Sequence, residues 1–361
     1  MRMSTNRRLR WAVPVVAGAV VAAVAIMPSI AVGQDHPVLP ERSAASLLAG
    51  LMTAPAPALS GTVVETARLG LPDLPTTGSG QAALSWENLA TGTHTARVWL
   101  DGGQRQRIAL LGDLAESDVV HNGRDVWVYS STTNSVQHLT LPAGTHSSDG
   151  AADPAMPVLT PDQVAARVLA AVNPTTAVTV DSTAVVAGQP AYQLVLSPRD
   201  HRSLISSVTI ALDSATLTPL RVQVYGADRT TPAFETAYTD ISFTRPSADV
   251  FAFTPPAGAR VHTDGHGSSL QGQPATAADL GRSVIGTGWT AVLVVSDVAL
   301  PMSGDGTSQL ALLTKAATRV PQGLLLKTAL LTLLLTNDGQ LYAGAVDAAS
   351  LQQVAATGRP L

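Results

Sequence analysis

Cysteine is absent from the 361 residues. That excludes disulfides, thiolate nucleophiles and zinc–thiolate sites. It also excludes lipid attachment at an N-terminal cysteine. Charge is scarce: Asp, Glu, Lys and Arg make up 13% of the chain, against about 25% in an average soluble domain. The formal charge of −4 leaves no broad basic field for nucleic acid. Lysine is nearly absent, so Ser/Lys hydrolase schemes find no candidates. No His-Glu-x-x-His and no Gly-x-Ser-x-Gly motif occurs. Ser303–Thr307 lacks the lysine and helix of a phosphate loop and reads as a tight turn. The eight histidines are scattered. His262 and His266, with Asp264 between them, are the one close pair, and in Gly-rich surroundings they read as solvated. The expectation is a chain that is not an enzyme and needs no cofactor or metal.

What is abundant is apolar surface, at 45% of residues. Without disulfides, stability must come from burying it. The length predicts about two domains. Arg7, Arg8 and Arg10 precede an uncharged run from Trp11 to Gln34. A positive flank before an apolar run sets the chain N-inside. Residues 1–33 then read either as a signal peptide, with Ala31-Val32-Gly33 as the cleavage site, or as an uncleaved anchor, since about 20 apolar residues span a bilayer. Both place the remainder outside the cytoplasmic membrane. Leu324–Leu335 is too short to span, is interrupted by Lys327, and reads as a buried strand.

Ser43 caps a short helix to about Thr53, with Leu47, Leu48, Leu51 and Met52 on one face. Strands with period-two alternation follow. Ala82, Leu84 and Trp86 share a face. So do Ala96, Val98 and Leu100; then Ile108 and Leu110, opposite Arg107; then Val126 and Val128. Gly-containing turns between them predict an antiparallel meander. Asp113 and Glu116 read as flanking a loop. After a Gly/Ser/Asp/Pro-rich loop over Pro142–Pro157, Thr160-Pro161-Asp162-Gln163 spells a capping box. It opens a helix bearing Val164, Val168, Leu169 and Val172, stopped by Asn173-Pro174. The meander resumes with Tyr192, Leu194 and Leu196, then Val208, Ile210 and Leu212, then Leu220, Val222 and Val224. The total is nine to eleven strands. A sheet that wide must curl or split. Val261–Ala277 reads as a linker. Beyond it, the pattern predicts a strand over Trp289–Ser296, a helix over Gln309–Arg319, a hairpin about Asn337-Asp338-Gly339, and a final helix capped by Asp347.

Several stretches together resemble the LolA/LolB/RseB superfamily, in particular its exported actinobacterial members. They are Leu59-Ser60-Gly61-Thr62-Val63-Val64-Glu65-Thr66; His121-Asn122-Gly123-Arg124-Asp125-Val126-Trp127-Val128-Tyr129; Ile210 through Asp213 with Pro219-Leu220; and Tyr238–Phe243 with Phe251 and Pro255-Pro256. Their order and spacing cover residues 42–263; residues 280–361 lie outside, as a small α+β domain in the manner of the two-domain plan of RseB. The resemblance implies an α+β fold: a curled antiparallel sheet, an incomplete β-barrel closed by helices, whose cavity holds acyl chains of lipids or lipoproteins. The cavity set is then Leu84, Val98, Leu100, Ile108, Leu110, Val126, Val128, Leu194, Leu196, Val208, Ile210, Val222 and Val224, with the Gln163–Val172 helix as lid. The superfamily's carriers have a key arginine on an early strand, and Arg105 or Arg107 lies in the comparable stretch. Function is expected to be lipid or lipoprotein trafficking at the outer face of the membrane. The alternatives are an RseB-like regulator that binds a membrane protein such as an anti-sigma factor, and a structural envelope protein whose half-barrel is filled by its own side chains.

Overall fold

The structure, a computed structural model, describes residues 37–71, 91–112, 116–141, 160–170, 175–264, 282–296 and 316–361. Several expectations lie outside them: the Trp11–Gln34 segment, the Ala82–Glu87 strand with Leu84, the Pro142–Pro157 loop, Val172 and its Asn173-Pro174 stop, His266, Ser303–Thr307, and the start of the Gln309–Arg319 helix. No helix among the described residues is long and apolar enough to cross a membrane.

The chain folds as α+β, dominated by one wide sheet. Helix α1 (Ala44–Thr53) begins where Ser43 accepts a hydrogen bond from the Ser46 amide. Leu47 is buried beneath it, whereas Met52 is exposed, so the apolar face is narrower than the spacing suggested. Strand β1 (Ala58–Arg68) is followed by a meander of β2 (Thr91–Asp101), β3 (Arg105–Leu111), β4 (Glu116–Asn122), β5 (Asp125–Ser130) and β6 (Ser135–Thr140). Helix α2 (Pro161–Ala170) opens with the reciprocal bonds of a capping box. The Gln163 amide donates to Thr160 Oγ1 (3.4 Å), and the Thr160 amide donates to Gln163 Oε1 (3.3 Å). A second meander follows: β7 (Thr176–Val186), β8 (Gln189–Pro198), β9 (Ile205–Asp213), β10 (Pro219–Gly226) and β11 (Phe234–Ser242).

Strand β1 is the seam. It pairs antiparallel with β2 on one side and β11 on the other, joining the two meanders into a twelve-stranded open sheet. The twelfth strand, β12 (Arg260–Asp264), lies parallel to β6 at the edge. This corrects the start of the linker reading of Val261–Ala277, for Val261 to Asp264 sit in a strand, whereas residues 265–277 lie outside the described residues. Glu116 is exposed and begins β4, at the end of the β3–β4 connection, and Asp113 lies outside the described residues.

At Gly61 the seam tolerates no side chain. A Cβ there would overlap the Asp240 carbonyl oxygen and press on the Tyr238 ring, 3.0 Å away. Gly61→Ala is therefore expected to destabilise the fold by about 1–3 kcal/mol, read as a lower urea midpoint at unchanged slope.

A six-stranded sheet follows: β13 (Arg282–Ile285), β14 (Val292–Val295), β15 (Thr318–Val320), β16 (Gly323–Lys327), β17 (Thr332–Thr336) and β18 (Leu341–Gly344). Here the apolar run over Leu324–Leu335 is two strands, not one. Thr328 turns the chain between them, its hydroxyl donating to the Leu331 carbonyl (2.9 Å). Residues 318–320, expected to end a helix, form an edge strand, and residues 288–290 form a 3₁₀ turn before β14. Helix α3 (Ala348–Thr357) starts on the Asp347 cap, whose carboxylate accepts the Ser350 amide (2.8 Å), and buries Leu351 and Val354 against Val294, Leu334 and Tyr342. The two sheets meet through main-chain bonds: the Leu204 amide donates to Ala345 O and the Ala329 amide to Leu69 O, both 2.8 Å. The Trp289 indole also donates to Thr176 Oγ1 (2.8 Å).

Candidate functional site

Ladder register decides which side chains share a face. Across the first meander, Gly61 pairs with Val98, Val98 with Ile108, Ile108 with Val119, and Val119 with Val128. Across the second, Thr236 pairs with Val222, Val222 with Ile210, Ile210 with Leu194, and Leu196 with Val208. Glu65 pairs with both His94 and Thr236, joining the halves. Because side chains alternate along each strand, Val98, Leu100, Ile108, Leu110, Val126, Val128, Leu194, Leu196, Val208, Ile210, Val222 and Val224 all fall on one face of the wide sheet. All are buried except Val128 and Val224, which are half-buried.

The two halves of that face are covered differently. Over the second meander, Leu47 of α1 and Val164 and Ala165 of α2 pack with Leu194, Leu196, Val208, Ile210 and Val222 in one cluster. Over the first, the described members of the apolar cluster around Val98, Ile108, Leu110, Val119 and Val126 come from strands and the turns beside them.

Arg107 does not join this face. It pairs with Trp99 and Val120 on the opposite side, as the alternation with Ile108 requires. There its guanidinium donates to both Asp118 carboxylate oxygens (3.1 and 2.6 Å) and to the Val250 carbonyl (3.2 Å). It lies over the Trp99 ring. Val250 belongs to a 3₁₀ turn (Ala248–Phe251) in the segment leading to β12. That segment straps the face: Asn122 donates to Phe251 O (3.3 Å), and Phe253 packs on Trp127 and Tyr129. Arg105 lies on the same side, ion-paired with Asp101 and over the Phe251 ring. Both arginines hold the strap. Burial raises the Asp118 pKa while the Arg107 hydrogen bond lowers it, and burial is the larger influence.

Within the apolar face lies a residue that the motif reading passed over. Glu65, on the seam strand, is 2% exposed, and its Oε2 has no hydrogen-bond partner. Burial pushes its pKa up to about 7. Its signal in the sequence was parity: it shares a face with the buried Val63 and Ala67. A second carboxyl group comes from α2. The Tyr238 hydroxyl donates to Asp162 Oδ2 (3.2 Å), and burial raises Asp162 to about 7 and the Tyr238 hydroxyl well above its ordinary value. Among the described residues no group of three or more His, Asp or Glu could hold a metal ion.

Between the two sheets runs a cleft of about 560 Å³, lined by Leu69, Leu204, Asp228, Arg229, Lys327 and Ala329 among others.

The solved structures similar to this chain include MucB, at 17% identity over 88% of this chain and 98% of that one, with a TM-score of 0.43. The MucA/MucB complex of Pseudomonas aeruginosa matches at 17% identity over 86% of this chain and 95% of that one, with a TM-score of 0.41. A LolA superfamily protein from Nitrosomonas europaea matches at 12% identity over 59% of this chain and 99% of that one, with a TM-score of 0.24. No curated protein matches it. One family model spans β2 to β12, the segment that builds most of the wide sheet, over residues 80–262. The chain belongs to that family, DUF2092, described as a predicted periplasmic protein.

Proposed function

We propose that the chain is an exported binding protein whose wide sheet curls around the acyl chain of a lipid or lipoprotein, with α1 and α2 closing one half and the ligand lying against the other. The observation that carries this reading is the single apolar face: twelve residues on six strands share it, and the described helices cover only the second-meander half. Burying an acyl chain gives about 0.8 kcal/mol per CH₂, so such a site needs apolar area more than polar contacts. Catalysis has no part in it, and no cofactor is needed. The family's periplasmic description supports export.

Native mass spectrometry of the full chain, followed by organic extraction, tests the proposal. A co-purifying lipid or acylated peptide, or uptake of added fatty acid, is the expected result. An apo mass with no uptake overturns it. Val128, half-buried on the half that the described helices do not cover, and Leu196, buried beneath the helices, separate a ligand site from a filled core. Val128→Arg is expected to abolish lipid uptake with the fold intact. Leu196→Arg buries an unpaired charge and is expected to unfold the protein. Global unfolding by Val128→Arg as well would favour a half-barrel filled by its own side chains.

A second reading, a regulator that binds a membrane protein, is favoured by the cleft between the sheets, where Arg229, Lys327 and Asp228 border apolar wall. MucB has been crystallised in complex with MucA(peri), a precedent in name for such a partner.

A further inference from the structure

The apolar face has a polar end. Glu65 and His94 pair there across β1 and β2. One step along the strands, the row Val63–Ala96–Leu110 continues into Ser117 and Ser130. Ser130 Oγ, like Glu65 Oε2, is buried without a hydrogen-bond partner. Buried polar groups are almost always paired, so the orphaned Glu65 carboxylate oxygen, with the orphaned Ser130 hydroxyl on the same face, calls for a partner beyond the described residues, and a carboxylate oxygen is completed by a donor. Among the described residues, Thr236 of β11 and His94 of β2 face Glu65 across the ladder, and Oε2 remains without a partner. The His94 ring bonds through Nε2 to the Thr91 carbonyl (2.9 Å). Asp162, reaching this face from α2, is engaged by the Tyr238 hydroxyl. The nearby cations are excluded by register: Arg97, Arg105, Arg107 and Arg221 all project from the opposite face.

Resting on the acyl-chain reading, we infer that Glu65 marks the seat of the ligand's polar head, and that this head is a hydrogen-bond donor, a hydroxyl or an ammonium, rather than a phosphate or carboxylate. An anionic head would meet a carboxyl group with no arginine or lysine among the described residues of that face. A donor head would complete Glu65 Oε2 while its tail lay against the first-meander half of the face, where Val128 is half-buried. Selectivity would then come from one side chain on an otherwise unspecific surface.

Binding of three tritiated sixteen-carbon probes to the full chain in amphipol distinguishes the outcomes. At pH 7.5, monopalmitoylglycerol and hexadecylamine are expected to bind at least about tenfold more tightly than palmitate. Glu65→Gln is expected to shrink the preference for hexadecylamine over palmitate to within about threefold. The unaltered protein gives a second measurement. Between pH 8 and pH 5 both neutral and ammonium probes keep their charge, so hexadecylamine should lose ground to monopalmitoylglycerol as Glu65 gains its proton. Equal binding of all three probes, unchanged by Glu65→Gln, overturns the inference and leaves the acyl-chain reading standing. Binding of none of them overturns that reading and the inference with it.

Discussion

Glu65→Gln is expected to stabilise the protein by about 3 kcal/mol at pH 8 and to change little at pH 4. Burial raises the Glu65 pKa from 4.5 to about 7, so the folded chain holds this proton more tightly than the unfolded chain does. Below the unfolded value both states are protonated, and the stabilisation is fully present. As pH rises, the unfolded state sheds its proton first, and the folded state loses relative stability until the pH passes about 7. A rise of that size corresponds to about 3 kcal/mol. Asp162, raised from 3.8 to about 7, acts in the same direction, so the unaltered protein should be markedly more stable at pH 5 than at pH 8. The opposing groups act elsewhere. The Arg202 hydrogen bonds lower Asp200 to about 2, and local hydrogen bonds lower Asp338 and Asp347. Their contributions disappear only as pH falls below the ordinary carboxylate range. Glutamine keeps the shape of a protonated glutamate and removes the titration. Urea unfolding at pH 4, 6 and 8 checks this. Identical pH profiles for the two proteins would mean that Glu65 reaches solvent in the folded state.

The wide sheet was legible because its strands alternate. Val98/Leu100, Ile108/Leu110, Leu194/Leu196 and Val208/Ile210 each announce a buried face, and the ladder places all these pairs on the same one. Local end signals were equally readable, since Thr160–Gln163 and Asp347 make their caps through neighbours three residues away. What escaped was set by distant partners. Strand β4 reads as polar because Ser117, Asp118, His121 and Asn122 outnumber its valines, yet Asp118, His121 and Asn122 are satisfied by β3, the turn at Gly123 and the strap. Strand β12 carries no apolar alternation and is held by parallel pairing to β6, more than a hundred residues earlier. The run over Leu324–Leu335 hides its turn because Thr328 makes it with a side chain, without Gly or Pro. Glu65 was concealed by its charge: an acidic residue in a strand defaults to solvent. Only the parity of Val63 and Ala67 argues otherwise.

Arg107→Ala is expected to cost about 3 kcal/mol at neutral pH, without impairing uptake of a lipid by the folded protein. Asp118 is 3% exposed, and Arg107 supplies two of its hydrogen bonds while also holding the Val250 carbonyl of the strap. Removing one partner of a buried pair leaves an uncompensated charge, at about 3–5 kcal/mol. The partial exposure of the Arg107 side chain, 30%, places the expectation at the low end. The loss should shrink toward pH 4, because an Asp118 without its arginine can take up a proton. Replacing Asp118 by asparagine in the Arg107→Ala background should recover part of the stability by the same reasoning. Limited proteolysis gives an independent reading, since cleavage within residues 243–259 should accelerate once the Val250 anchor is gone. A ligand-binding arginine would behave in the opposite way: its loss would abolish binding at unchanged stability and leave the strap protected. Unfolding and uptake measured on the same Arg107→Ala preparation therefore decide whether the early-strand arginine of this chain serves the ligand or the fold, and its place on the face opposite Val98 and Ile108 favours the fold.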